Sequence, residues 1–480
     1  MSFAQKIAKN TAGQLVGKII STALGLISIG LLARYLGTEK FGWYVTASGF
    51  LQFVGILIDG GFTLTTTNLL AEEKFDEQKV LETIFTWRFF SALFFHSLAL
   101  IIFLFFSYAT PIKEAVAIVS ISFFALSLNQ IFVGYYQAKL KNYIQMLSEI
   151  LGRVCLLGGI LLFSITKQGF LAIMSAITLA TLVSTAYFFI TGPKLKFRFD
   201  KKISAAIFQK TWPLALAIIF NAVYFQGDRL ILPFFVSQSE VGLYGAAYKI
   251  LDFVIQSAAL LMGIMMPILT RQWTKKNYTE FKKYFELSFV LLALFLIPSL
   301  VGAIVLNTQV MQLVGGKAFT GSGAILNILS FSIMGICLGM VGGHTMLALN
   351  RQRQSLYIFG SDAVLSLAGY LYFIPRRGIL GAAGVTIFSE WYAGILLCFF
   401  AAYYSKSLPP FKTLFKILVC SLVMGALVFY LQPLPLIASL LVAGFSYLCF
   451  IFLLKVVSFK TMIKILFSRG ETPDPIVKSF

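Results

Sequence analysis

Apolar runs long enough to cross a lipid bilayer recur along the whole 480-residue chain. They lie near 13–36, 41–68, 84–107, 113–137, 146–166, 169–191, 212–236, 241–267, 284–307, 321–349, 355–375, 378–403, 413–431 and 435–456. About 20 apolar residues, coiled as a helix, match the roughly 30 Å of hydrocarbon in a bilayer. Inside that layer only helices and closed barrels satisfy their own backbone polar groups. A barrel strand needs only about 10 residues, with alternating polarity. These runs are longer and continuously apolar, so the expected fold is an all-α polytopic membrane protein with about 14 transmembrane helices. Composition agrees. The chain is 58% hydrophobic and only 12% charged, where a soluble domain carries roughly a quarter charged residues. Nothing in it suggests a soluble enzyme.

Lysine and arginine set the orientation. With the N-terminus in the cytoplasm, the inner segments hold 27 basic residues and the outer loops hold six: Lys40, Lys113, Lys167, Lys317, Arg376 and Arg377. That asymmetry is the signature of inner loops, and losing one span would reverse it downstream. Both termini are therefore expected inside a cytoplasmic-type membrane. The net charge of +20 then records topology, and no nucleic-acid partner is needed to explain it. The five cysteines sit singly in apolar runs, which gives no disulfide framework or metal site. His96 and His344 have no metal partner at helical spacing. No cofactor is called for, and no cleavable signal peptide is evident.

The chain repeats itself. Phe41-Gly42-Trp43-Tyr44-Val45-Thr46-Ala47 matches Val241-Gly242-Leu243-Tyr244-Gly245-Ala246-Ala247 at an offset of 200. Ile165-Thr166-Lys167-Gln168-Gly169 resembles Ile374-Pro375-Arg376-Arg377-Gly378, and Ser148-Glu149 resembles Ser361-Asp362. These matches include loop residues that hydropathy does not constrain. Two copies of a six-helix unit, parallel in the membrane, are expected around a central cavity. The expected organisation is a first lobe at 1–193, a basic cytoplasmic linker at 194–211, a second lobe at 212–404, two added helices at 405–457 and a cytoplasmic tail at 458–480. The linker and the segment 455–469 are polar, basic and weakly amphipathic, as interfacial segments are.

Charges within apolar spans are costly and call for a reason. Lys18, Arg34, Arg88 and Arg153 stand against Asp59 and Glu149 in the first lobe, a net of +2. Arg229 and Lys249 stand against Asp228, Asp252, Asp362 and Glu390 in the second, a net of −2. Glu149 and Arg153 are four apart, in the favoured order for a helical pair. Lys18 and Arg88 have no acidic neighbour at helical spacing, and either line a cavity that grips a phosphate or pyrophosphate or pair across helices. Arg34 lies near a span end, where snorkelling explains it. Lys18, Arg88, Arg153, Arg229 and Lys249 are thus candidate substrate-cavity cations. Asp59, Asp228, Asp252, Asp362 and Glu390 are candidate coupling-ion sites or structural acids. There is no GxxxxGK[ST] fingerprint and no aqueous loop long enough for an ATPase or transferase domain, which favours a secondary transporter.

The stretch Gly227-Asp228-Arg229-Leu230-Ile231-Leu232, followed by Glu240-Val241-Gly242-Leu243-Tyr244, resembles a signature of polysaccharide exporters. Ala33-Arg34-Tyr35-Leu36-Gly37 through Tyr44 is similar to the start of the same family. These are the Wzx-type O-antigen flippases of the MOP exporter superfamily, which also holds lipid II flippases and MATE antiporters. The resemblance implies a flippase for undecaprenyl-pyrophosphate-linked oligosaccharide, working by alternating access in a bacterial inner membrane. It further implies partnership with a polysaccharide polymerase and a chain-length regulator. Fourteen spans depart from the twelve usual for O-antigen flippases and approach the lipid II flippases. Lipid II flipping and MATE-like export of organic cations are the alternative readings.

Overall fold

The computed structural model describes residues 3–72, 74–431 and 434–456. The expected tail at 458–480 lies outside them, as does the amphipathic segment beyond Val456. Every described element is helical. The helices are α1 (Phe3–Asp59), α2 (Phe62–Ala71), α3 (Glu77–Leu104), α4 (Thr110–Ala138), α5 (Asn142–Ile165), α6 (Phe170–Thr191), α7 (Lys201–Ile231) and α8 (Gln238–Thr274). They continue with α9 (Tyr278–Val305), α10 (Asn307–Gly315), α11 (Ser322–Ser330), α12 (Ser332–Ala348), α13 (Gln352–Ser405), α14 (Phe411–Tyr430) and α15 (Leu436–Leu453).

Ten helical stretches are long and apolar enough to cross a membrane, or eleven if α11 and α12, bent by 41°, form one span. Two of the ten, Gly17–Leu70 and Gln352–Ser405, are 54 residues long. Straight, each would reach about 80 Å, far beyond the hydrocarbon. Each instead folds into two arms at a glycine: Gly37 at φ 68° and Gly378 at φ 54°. Thirteen of the fourteen apolar runs of the sequence fall on such helices or arms, counting α11 and α12 as one, and the run at 212–236 falls on α7, which is not among them. The chain is an all-α, multi-pass membrane protein.

By internal contacts it divides into two compact units, Met1–Gly245 and Ala246–Phe480. In the first, α1 packs along α5, α4 and α7, and α6 closes against α4 and α5. Leu69, Val80, Ile84, Leu128, Ile203 and Ile207 join α2, α3, α4 and the start of α7 in one core. α7 begins at Lys201 because Asp200 caps it, accepting from the backbone N–H groups of Lys202 and Ile203. The segment before that cap lies on α3. Arg198 Nε sits 2.9 Å from the buried Glu82, Gln78 donates to the Lys194 carbonyl at 2.6 Å, and the Phe197 ring packs on Phe85 and Phe89.

The matched segments of the repeat meet inside this first unit. A Cβ on Gly42 would overlap the Gln238 carbonyl oxygen, and a Cβ on Gly242 would overlap that of Thr38. Residues 38 and 238, like 42 and 242, are 200 apart, so the contact is reciprocal. Val45 lies against Gly245, at the same offset, where a Cβ would come within 2.5 Å of it. Thr38 and Ser239 join hydroxyls at 2.8 Å, and Thr46 donates to Gln238 Oε1 at 2.8 Å. Small residues of this kind let helix backbones approach closely in membranes.

In the second unit α12 lies in the hairpin of α13, and Gly335 packs directly on the backbone of Glu390 and Gly394. α14 and α15 cover α9. Val290, Ala293 and Ile297 meet Ile417, Cys420 and Ile451 there, and Tyr447 donates to the Leu294 carbonyl at 3.0 Å.

The reciprocal glycine contact makes a direct prediction. Overpacking at such a site costs about 1–3 kcal/mol. In a chain whose own cysteines are replaced by alanine, a Thr38→Cys/Ser239→Cys pair should cross-link readily under mild oxidation. Adding Gly242→Val should suppress that cross-link; unchanged cross-linking would show that the two backbones do not meet.

Candidate functional site

Four helices of the first unit, α1, α4, α5 and α6, enclose a cavity of about 260 Å³. Its polar lining is mostly hydroxyl: Ser28, Tyr44, Ser48, Ser122, Thr181 and Ser184. Several of these hydroxyls are fixed by local bonds. Ser28 donates to the Leu24 carbonyl, Ser48 to that of Tyr44, and Ser122 and Thr181 share a hydrogen bond of 2.7 Å. A serine bonded back to its own helix in this way is satisfied within hydrocarbon and still offers an oxygen to the cavity.

The charge in the cavity comes from α5. Glu149 and Arg153 both line it, one helical turn apart. Lys18 of α1 reaches the same carboxylate oxygen, Oε1, at 3.4 Å, whereas Arg153 Nη2 stands 4.0 Å from it. One carboxylate is therefore shared by two cations, and the cluster carries net positive charge. The 4.0 Å separation is too long for a hydrogen bond, and Arg153 makes none among the described residues. Its five N–H donors remain available in a half-buried setting. Gly25 makes room for it, since a Cβ there would stand 3.4 Å from the guanidinium carbon. A planar cationic fork with unoccupied donors, facing a hydroxyl-lined cavity, is suited to a phosphate or carboxylate.

Arg88 has a different setting. It is fully buried on α3 and pairs with Asp59, the last residue of α1. Nη1 donates to the Ser127 carbonyl at 2.8 Å and Nη2 approaches Thr63 Oγ1 at 3.3 Å, while the guanidinium lies over the Phe62 ring. Thr63 also donates to Asp59 at 2.6 Å. Asp59 immediately precedes Gly60 and Gly61, which take φ 42° and 92° at the break between α1 and α2. In this conformation Arg88 is a strut across that break. Only its Nε, buried and without a hydrogen-bond partner among the described residues, is uncommitted.

The remaining candidates fall into separate clusters. Asp228 on α7 accepts from the Arg229 backbone N–H and from the Tyr244 hydroxyl, both at 2.7 Å. Arg229 donates to the Phe225 carbonyl at 3.2 Å and lines a smaller aromatic cavity of about 180 Å³ with Phe50, Phe103, Phe106 and Phe234. Lys249 and Asp252 stand 3.9 Å apart on α8. Asp362 is fully buried between the arms of α13. The hydroxyls of Ser366 and Ser389 donate to it at 2.9–3.0 Å, and no cationic side chain contacts it among the described residues. Such a carboxylate is stable in hydrocarbon when it holds a proton or a cation. Glu390 lies next to Ser389, buried where α12 packs on α13. The two histidines bond to their own helices, His96 to the Ala92 carbonyl and His344 to that of Met340. Sequence reasoning missed the hydroxyl lining of the Arg153 cavity. Its six residues come from three helices, α1, α4 and α6, and no spacing rule connects them.

Residues 7–273, more than half of the chain, match the family described as polysaccharide biosynthesis protein. A curated relative from Shigella flexneri, named a putative O-antigen transporter, is 24% identical over 397 residues, which cover 78% of this chain and 93% of the relative. A probable flippase, AglR, from Haloferax volcanii is 21% identical over 46% of this chain and 48% of its own length. Among solved structures, the lipid II flippase MurJ in an inward closed conformation superposes with a TM-score of 0.79 at 16% identity, over 92% of this chain and 98% of MurJ. An inward-facing MATE multidrug resistance transporter of the MOP superfamily gives a TM-score of 0.67 at 13% identity, over 82% of this chain and 98% of its own. The two solved structures share the fold described above, and the family match extends from α1 to the end of α8: the chain belongs to the polysaccharide biosynthesis protein family.

Proposed function

We propose that this protein flips an undecaprenyl-pyrophosphate-linked oligosaccharide across a bacterial inner membrane, for O-antigen or another surface polysaccharide, by alternating access between two six-helix lobes at 1–193 and 212–404. The linker 194–211 joins them, and 405–457 adds two helices. The observation that carries the reading is the polar cavity lined by Glu149 and Arg153, where Lys18 meets the same carboxylate from beside the lining and Arg153 keeps its donors uncommitted. A pyrophosphate is the part of such a substrate that a cationic fork recognises. Family membership and the printed names of the relatives support the same substrate class. The excess of basic residues in the expected inner loops supports cytoplasmic termini, and a polymerase and a chain-length regulator are the partners that would receive the product.

Export of organic cations, the MATE-like alternative, calls for an unpaired acid in the cavity. The carboxylate there is instead held by two cations, which favours an anion. A lipid II flippase would use the same pyrophosphate chemistry and differs in the sugar.

Driving force follows from charge. A pyrophosphate-linked substrate carries about two negative charges. A potential negative inside pushes it outward by about 2.3 kcal/mol per charge per 100 mV of full field. Asp362, buried with hydroxyl partners alone, is the coupling candidate if an ion gradient also contributes.

Two measurements test this reading. In proteoliposomes that translocate a pyrophosphate-linked oligosaccharide, Arg153→Gln and Lys18→Gln should each weaken substrate binding by about 2 kcal/mol, or roughly thirtyfold, while folded yield is unchanged. Arg88→Ala should instead lower thermal stability by about 3 kcal/mol, because it empties a fully buried site and takes the cation from the partly exposed Asp59. Full transport by a well-folded Arg153→Gln/Lys18→Gln variant rules the cavity out as the anion site. Separately, Asp362→Asn should remove any dependence on a proton or sodium gradient and leave substrate binding intact. Export under an imposed potential alone, unchanged in Asp362→Asn, would leave the potential as the driver.

A further inference from the structure

The hairpin of α13 carries a second cavity, well away in sequence from the charged one. It is a groove of about 500 Å³ near the Gly378 turn. On the first arm it is lined by Leu365, Gly369, Phe373 and Arg377, each four residues after the last, so they form one stripe along the helix. On the second arm the lining includes Leu380, Gly384 and Phe388, again at intervals of four. Gly369 and Gly381 bring the two arms together, since a Cβ on them would crowd Val385 and the Phe373 carbonyl, while a Cβ on Gly384 would meet nothing within 4 Å and leaves the groove open there. The walls are exposed apolar side chains, with Leu380 at 55% and Phe388 at 50%.

Two features distinguish this groove from an ordinary lipid-facing surface. The first is its dimension. From Leu365 to Arg377 the stripe rises about 18 Å, close to one leaflet of a hydrocarbon layer roughly 30 Å thick. The second is its charge. Arg376 is committed to Tyr372, donating to its carbonyl at 2.8 Å and lying 3.8 Å over its ring. Arg377 is exposed at the end of the stripe and has no hydrogen bond or ion pair among the described residues. These two arginines are also a third of the six basic residues expected outside, where positive charge is otherwise sparse. An apolar groove one leaflet deep with a single uncommitted guanidinium at its mouth matches one amphiphile with an anionic head.

We propose that the α13 groove binds one anionic phospholipid of the leaflet at the Gly378 turn, with an acyl chain lying in the groove over the open face of Gly384 and the head-group phosphate on Arg377. The proposal does not depend on the flippase reading. The groove belongs to the second unit, and its residues take no part in the Lys18–Glu149–Arg153 cluster. Phosphate accepts the parallel N–H pair of an arginine fork, and the open face of Gly384 admits a chain that a side chain would displace.

The test is native mass spectrometry of the full chain in detergent, titrated with dioleoyl phosphatidylglycerol, dioleoyl phosphatidylcholine or undecaprenyl phosphate. One phosphatidylglycerol should bind about tenfold more tightly than phosphatidylcholine, whose quaternary ammonium repels Arg377 and offsets the attraction of the same phosphate. Arg377→Gln should bring phosphatidylglycerol down to the phosphatidylcholine level, and Arg377→Lys should keep most of the preference. Gly384→Leu, which fills open space without a clash, should weaken both phospholipids. Equal binding of the two in the parent chain overturns the proposal, as does a phosphatidylglycerol preference that survives both Arg377→Gln and Gly384→Leu. Displacement of phosphatidylglycerol by equimolar undecaprenyl phosphate would assign the groove to the polyprenyl carrier instead and would also overturn it.

Discussion

Hydrocarbon offers no hydrogen-bonding partner, so each polar group that enters it must find one within the protein. That constraint accounts for the helical architecture and for the distribution of charge within it. Arg88 is fully buried, and three acceptors from three other helices, α1, α2 and α4, surround it. Glu82, also buried, is met by Arg198 from the segment that leads into α7 and by Gln78 one turn back on its own helix. Asp228 draws on a backbone N–H and a tyrosine hydroxyl, and Asp362 on two serines. Serines and threonines return their protons to the carbonyl four residues back at many positions. Against this background of satisfied groups, the loosely held Arg153 stands out as a group with capacity left for a ligand.

Much of the fold was legible because hydropathy and backbone satisfaction leave few alternatives. The fourteen apolar runs all became helical arms. The glycines at 37 and 378 separate arms that the sequence already divided. Where the sequence was less informative, the cause was distance along the chain. Lys18 and Arg88 lack acidic neighbours at helical spacing, yet the structure supplies Glu149 and Asp59 from other helices, 131 and 29 residues away. The basic linker looked interfacial by composition. Its basic residues do lie exposed at Lys194, Lys196, Lys201 and Lys202, but Phe197 and Arg198 anchor it to α3, and Asp200 starts a helix eleven residues before the expected span. A cap of that kind is visible in sequence; the aromatic anchoring is not.

The candidate cavity was only partly legible. Glu149 and Arg153 were identifiable as an i, i+4 pair, and their charge placed them among the residues needing a reason. That their pairing is loose, that Lys18 competes for the same oxygen, and that hydroxyls from three helices complete the lining are tertiary facts. The α13 groove left no sequence signal beyond a glycine pattern and an arginine pair, both common in membrane helices. It became visible only when the arms folded back on each other and one arginine of the pair turned to its own tyrosine.

The internal repeat has a mechanical consequence where its copies touch. Thr38 meets Gly242 as Gln238 meets Gly42, which is the geometry of a twofold dimer joint formed within a single polypeptide. Such a joint is self-complementary. The hydroxyl bonds at Thr38 and Thr46 fasten the same contact. A side chain added at either glycine would meet a carbonyl of the opposite segment, so the two copies limit each other's side chains there in the same way.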